Sequence, residues 1–143
     1  MDVHISSMYR RNMMSGKMIQ QLMTAPREIT FREVDIPEPG PDQVLVKIKR
    51  IGVCGRDIHV FHGVHPYTKY PVTQGHEVSG RIVKLGQYVN NLKEGQRVTI
   101  EPQVFCGRCH PCLHGKYNLC ENLKVMGFQT VGTASEYFAV DAS

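Results

Sequence analysis

No stretch of this sequence stays apolar over the roughly 18 consecutive residues that a membrane-crossing helix needs, so no span is expected. No secretory leader is expected either, because residues 1–17 lack the apolar segment such a leader carries. There is no clustered basic stripe of the kind nucleic-acid binders use: the formal net charge is +4, and half of it comes from Arg10, Arg11 and Lys17 against Asp2. No internal repeat, no long amphipathic helix and no G-x-G-x-x-G fingerprint is found, which argues against a solenoid, a helical bundle or a dinucleotide site within these residues. No cysteine is spare: all five fall in two clusters. Without a leader, such thiols read as metal ligands in a reducing cytoplasm rather than as disulfides.

What remains is a chain of 143 residues, enough for one real core, with an ordinary hydrophobic fraction of 41%. Residues 1–17 are polar and aperiodic and read as a tail or a mis-started segment, with Met18 the expected beginning of the fold; a mitochondrial presequence is the functional alternative. Short strands follow. Met18–Met23 and Ile29–Val34 flank a turn at Thr24-Ala25-Pro26-Arg27. Val44, Val46 and Ile48 alternate with Leu45, Lys47 and Lys49, predicting a half-buried strand; after Arg50 the apolar parity shifts to Ile51 and Val53, which predicts a bulge. One or two helical turns are expected over Gly55–Phe61, loop over His62–Gln74, and strands over Val78–Leu85, Arg97–Ile100 and Glu136–Val140. The sum is a mainly β domain, a partly open barrel with short helices.

Cys106, Cys109, Cys112 and Cys120 are spaced C-x2-C-x2-C-x7-C. Four thiolates close a tetrahedral zinc shell and leave no position for reaction, which suits a structural zinc bracing a loop. An iron–sulfur cluster is the competing reading, but the last gap is seven and no proline follows Cys120. His110 and His114 then face solvent. Upstream, Cys54 offers a thiolate and His76 an imidazole, with Gly52, Gly55, Gly75 and Gly80 permitting tight backbone around them.

Gly75-His76-Glu77-x-x-Gly80, with Gly86 and Val89 following, is similar to the zinc signature of the medium-chain alcohol and polyol dehydrogenases. Cys54-Gly55-x-Asp57-x-His59 resembles their first-ligand motif and the four-cysteine lobe their structural-zinc lobe; Gly95-x-Arg97-Val98 with Pro102 resembles the strand before that lobe. The resemblance runs from Met18 to the end and implies a GroES-like catalytic domain over residues 18–143, with the Rossmann half and the third zinc ligand expected beyond Ser143. It implies Cys54 and His76 as ligands of a catalytic zinc. Glu77 would be a neighbouring carboxylate that orients the site or ligates transiently. Asp57 would support the Cys54 loop or a ligand. His59 stands where some members pass the alcohol proton to solvent, an exposed loop histidine being the alternative.

One departure matters. The family commonly has Ser or Thr where this chain has Arg56, and a guanidinium, always protonated, cannot accept the alcohol proton. A water takes over, or Arg56 binds substrate or a cofactor phosphate, or the site is impaired. The implied activity is hydride transfer between a small alcohol, with a polyol or sugar alcohol favoured, and NAD or NADP. Without the cofactor half the chain alone is expected to be inactive, and a homo-oligomer is expected of the complete protein only. Two other classes are weighed: a zinc-ribbon nucleic-acid module, and a non-enzymatic β-barrel binding module carrying the zinc lobe. Neither has a use for the Cys54–His76 pair.

Overall fold

The computed structural model describes residues 16–142. Two strands come first: β1 (Lys17–Ala25) and β2 (Glu28–Asp35) pair antiparallel, with Lys17 opposite Asp35 and Met23 opposite Ile29. The tail expected over residues 1–17 lies outside the described residues, apart from Gly16 and Lys17, and Lys17 already belongs to β1. Pro26 and Arg27 form the turn; proline locks φ near about −65°, and Arg27 takes φ 67°, so the chain reverses within two residues. β1 buries Met18, Gln20 and Met23, whereas β2 is exposed along nearly all its length.

β3 (Gln43–Ile51) is the centre of a four-stranded antiparallel sheet in the order β5-β4-β3-β8, with β4 at Val78–Leu85, β5 at Arg97–Thr99 and β8 at Tyr137–Asp141. β4 and β8 satisfy its backbone on both edges, and its middle is buried on both faces: Leu45 is as fully buried as Val46. That exceeds the half-buried alternation its sequence predicts. The register with β4 slips between Ile48 and Arg50, where the parity shift predicts a bulge; Ile51 and Val53, however, emerge exposed beyond it. A second pair, β6 (Gln103–Val104) with β7 (Lys124–Val125), frames the cysteine lobe, which also holds the short helix α2 (His110–Leu113) and a 3-10 turn at Tyr117–Leu119. The sheets have two, four and two strands, and among the described residues none closes into a barrel.

Two apolar clusters result. Val44, Val46, Val78, Ile82, Ile100 and Met126 form one on the large sheet. Met23, Val60, Val72 and Phe128 form the other, beneath helix α1 (Gly55–Phe61). The loop His62–Gln74 crosses between them and is pinned late: Val72 exchanges both backbone hydrogen bonds with Met23, at 2.8 and 2.9 Å. The amides of Gly132, Thr133 and Ala134 then donate to the carbonyls of Thr73, Gly75 and Gln74 at 2.9 Å each. His76 follows directly and is suspended between the clusters.

That second brace requires glycine. A Cβ on Gly132 would stand 2.2 Å from the Gln74 carbonyl oxygen, a backbone atom with no rotamer to yield. Gly132→Ala is therefore expected to lower stability by about 1–3 kcal/mol, read as a fall in the denaturation midpoint. Gly55→Ala, with nothing within 4 Å, is expected to stay near the parent value.

Candidate metal centre

Cys54 is fixed by its own helix start. It caps α1 in extended backbone; its Sγ accepts from the Arg56 amide at 3.3 Å, and Asp57 Oδ2 accepts from the Cys54 amide at 3.0 Å. This reciprocal arrangement is a capping box with sulfur in place of the usual hydroxyl. The short pattern Cys54-x-x-Asp57 thus both starts the helix and aims the thiol.

His76 is 6% exposed, and its Nε2 lies 3.2 Å from Cys54 Sγ. Its other nitrogen, Nδ1, faces Asp57 Oδ1 at 3.6 Å, and both of those buried atoms lack a hydrogen-bond partner. Gln74 Nε2 donates to the Asp57 carbonyl at 3.1 Å, tying the histidine segment to the helix. Cys54, Asp57 and His76 offer donor atoms that all lie within 4.8 Å of one another. For zinc at about 2.3 Å from sulfur and 2.0–2.1 Å from nitrogen, tetrahedral geometry sets S···N near about 3.5 Å, so the pair fits the ion with little adjustment. The carboxylate behind Nδ1 is the partner a ligating imidazole ordinarily has, and it leaves Nε2 for the metal.

The second cluster is closed. Cys106, Cys109, Cys112 and Cys120 bring their sulfurs within 4.8 Å of one another, against about 3.8 Å expected around tetrahedral zinc. Cys109 and Cys112 stand 3.4 Å apart, and the amides of Cys106 and Asn122 donate to Cys120 Sγ at 3.3 Å. Amides of Arg108 and Cys109 hold the Cys106 thiol down to about 6. Burial, then the Cys109 sulfur, pushes Cys112 up to about 12. His110 and His114 are exposed, their rings 4.2 Å apart.

An open cleft of about 1090 Å³ runs past Cys54 and His76, lined also by Arg50, Arg56, His59, Glu77 and Glu101. His59 and Arg56 are both exposed there. Glu77 is exposed too, but it leaves the strand start on the opposite parity to His76: its Oε2 lies 2.8 Å from where a Cβ on Gly52 would be. The carboxylate that joins Cys54 and His76 is Asp57, not Glu77. Sequence reasoning misses Gln74, His65 and Phe128. The Phe128 ring lies 4.8 Å from the His76 ring and 4.6 Å from that of His65. Burial, then the charges of His59 and Arg56, lower the His65 pKa. No local pattern marks these residues, because their contacts arise only when the cysteine lobe and the His62–Gln74 loop meet.

The family described as "Alcohol dehydrogenase GroES-like domain" matches residues 40–143. The chain is 43% identical over 115 residues to the L-galactonate-5-dehydrogenase of Escherichia coli K12, covering 80% of this chain and 34% of that one. It is 37% identical over 133 residues to the L-threonine 3-dehydrogenase of Pyrococcus horikoshii, covering 90% and 38%. Among solved structures, the short chain alcohol dehydrogenase RspB of Escherichia coli CFT073, complexed with NADH, superposes with TM-score 0.80 at 40% identity, covering 88% of this chain and 36% of that one. The chain therefore spans about a third of the length of the relatives it matches.

The two displaced thiols make a pH-dependent contrast in the chelator-treated chain. Backbone amides lower the Cys106 thiol while burial and the Cys109 sulfur raise Cys112, so of these two Cys106 is the more readily deprotonated and Cys112 the less. Brief iodoacetamide treatment at pH 7 is expected to label Cys106 first and Cys112 last by peptide mass mapping; equal labelling contradicts the assignment.

Proposed function

Because the chain belongs to the alcohol dehydrogenase GroES-like domain family, we propose that it is the zinc-binding catalytic part of an NAD(P)-dependent alcohol or polyol dehydrogenase. The observation that carries this reading is the 3.2 Å approach of Cys54 Sγ to His76 Nε2 on the floor of an open cleft. A closed four-thiolate site alone would serve many proteins. A thiolate–imidazole pair with open space beside it serves few that do no chemistry.

Cys54 and His76 hold the catalytic ion, and Asp57 holds both of them, through the Cys54 amide and through His76 Nδ1. When bound, zinc supplies Lewis acidity that lowers the pKa of an alcohol, and a nicotinamide supplies the hydride acceptor. Glu77 lines the same cleft and would be the neighbouring carboxylate that orients the site or ligates transiently. His59, exposed at the cleft edge, takes the alcohol proton and hands it to water. Arg56 cannot accept that proton; its guanidinium instead meets an anionic oxygen, which we assign to a cofactor phosphate. Cys106, Cys109, Cys112 and Cys120 hold the structural zinc that braces the lobe.

The substrate in this reading is a small polyol or sugar alcohol. Relatives named for L-galactonate and L-threonine support a small hydroxylated substrate. No helix among the described residues is long and apolar enough to cross a membrane. Five free thiols suit a reducing cytoplasm, and the complete enzyme is expected to be a homo-oligomer.

Metal analysis tests the assignment. The chain is expected to retain one zinc through dialysis against a weak chelator and to lose a second. Cys54→Ala abolishes only the second; Cys112→Ala abolishes the first. Two zincs held equally tightly, or none, would sink the proposal. In the enzyme complete with its cofactor unit, Arg56→Ala is expected to weaken NAD(P)H binding about tenfold, the scale of one charge-assisted hydrogen bond, by fluorescence titration. Unchanged affinity removes Arg56 from the cofactor.

A further inference from the structure

The polar hold on the His76 ring is incomplete. Nδ1 is 3.6 Å from Asp57 Oδ1, longer than a hydrogen bond, and neither atom has another partner. A carboxylate at that distance attracts the ring without fixing its plane. The contact of Nε2 with Cys54 Sγ at 3.2 Å is then the one polar restraint on the ring among the described residues, and its plane is left to packing.

Phe128 supplies that packing. Its ring centroid is 4.8 Å from that of His76 at an interplanar angle of 49°, within the range of favourable aromatic contact. It is itself immobilised: only 3% exposed, packed with Met23, Val60 and Val72, and stacked against His65 at 4.6 Å and 15°. His65 is held in turn by Thr68 Oγ1 at 2.8 Å from Nδ1. The backbone carrying Phe128 is pressed onto the histidine segment. Gly127 has φ 82°, and a Cβ there would stand 3.1 Å from the Gly75 backbone. Phe128 lies behind His76 and does not line the cleft.

The geometry points to Phe128 as a positioning residue: its ring, backed by His65, sets the plane of His76 so that Nε2 faces Cys54. This rests on the reading of Cys54 and His76 as metal ligands, and it assigns Phe128 no contact with substrate. A ring face is needed for it, not merely an apolar volume. Leucine fills the space without supplying the face, and tyrosine keeps it.

Nitrogen-resolved NMR of the histidine rings in the 143-residue chain tests this, first after dialysis against a weak chelator, which leaves only the zinc of the four cysteines, and then with zinc added. Before zinc is added back, His76 is expected to give one sharp set of ring signals with the proton on Nδ1, the side of Asp57. Phe128→Leu is expected to broaden that set or mix the tautomers, and to weaken zinc uptake at His76 about tenfold, at the upper end of an aromatic pair's worth. Phe128→Tyr is expected to restore both, and the zinc of the four cysteines stays in every variant. If Phe128→Leu leaves the His76 signals and zinc midpoint unchanged, the ring has no positioning role and the inference is overturned. If the parent chain shows the single tautomer but never shifts with zinc, the positioning stands and the metal reading fails.

Discussion

Cys54 and His76 meet across 22 residues of sequence, and that meeting depends on how the backbone between Val72 and Gly75 is held. Val72 is tied to β1, and Thr73–Gly75 to Gly132–Ala134. Neither tie belongs to a long strand, yet each satisfies backbone groups that would otherwise be buried without partners. The imidazole thus hangs from a segment clamped on two sides, while the thiol is set by a helix cap. A change that frees either clamp moves the nitrogen and leaves the sulfur in place.

The two clusters divide along physical lines. The four-cysteine lobe contributes little to either apolar cluster, and its burial is that of the sulfurs Cys112 and Cys120 themselves. Its order comes from ligand convergence and from amides pointing at sulfur. The Cys54–His76 site has the opposite character: a buried imidazole, a buried carboxylate and a half-exposed thiol stand beside open space. One arrangement saturates its donors and the other leaves room at them, the difference expected between a brace and a reaction centre.

Most of this was legible where the signal is local. Gly55–Phe61 reads as a helix because Cys54 and Asp57 cap it, and β3 and β4 read as strands because their alternation lasts long enough to be seen. The bulge near Arg50 announces itself as a change of parity. What escapes is set by distant pairing. Leu45 is fully buried and stands opposite Ala139 of β8, nearly a hundred residues later, a pairing that its local alternation does not announce. Asp57 is expected from its motif to support the Cys54 loop or a ligand, but that it reaches His76 Nδ1 depends on how the Gln74–His76 segment docks on α1. Phe128 carries no motif at all.

β2 has a consequence of its own. Among the described residues it pairs only with β1, which leaves its other edge without a strand partner, and Ile29 and Phe31 stand 45% and 71% exposed on it. A strand of that kind is a template for a further strand, whether from a neighbouring unit or from another copy. Glu28, Arg32, Glu33 and Asp35 interrupt the apolar run with charges of both signs and act as gatekeepers against indiscriminate pairing. A strand laid along this edge would extend the two-stranded sheet and find Ile29 and Phe31 ready to pack against it.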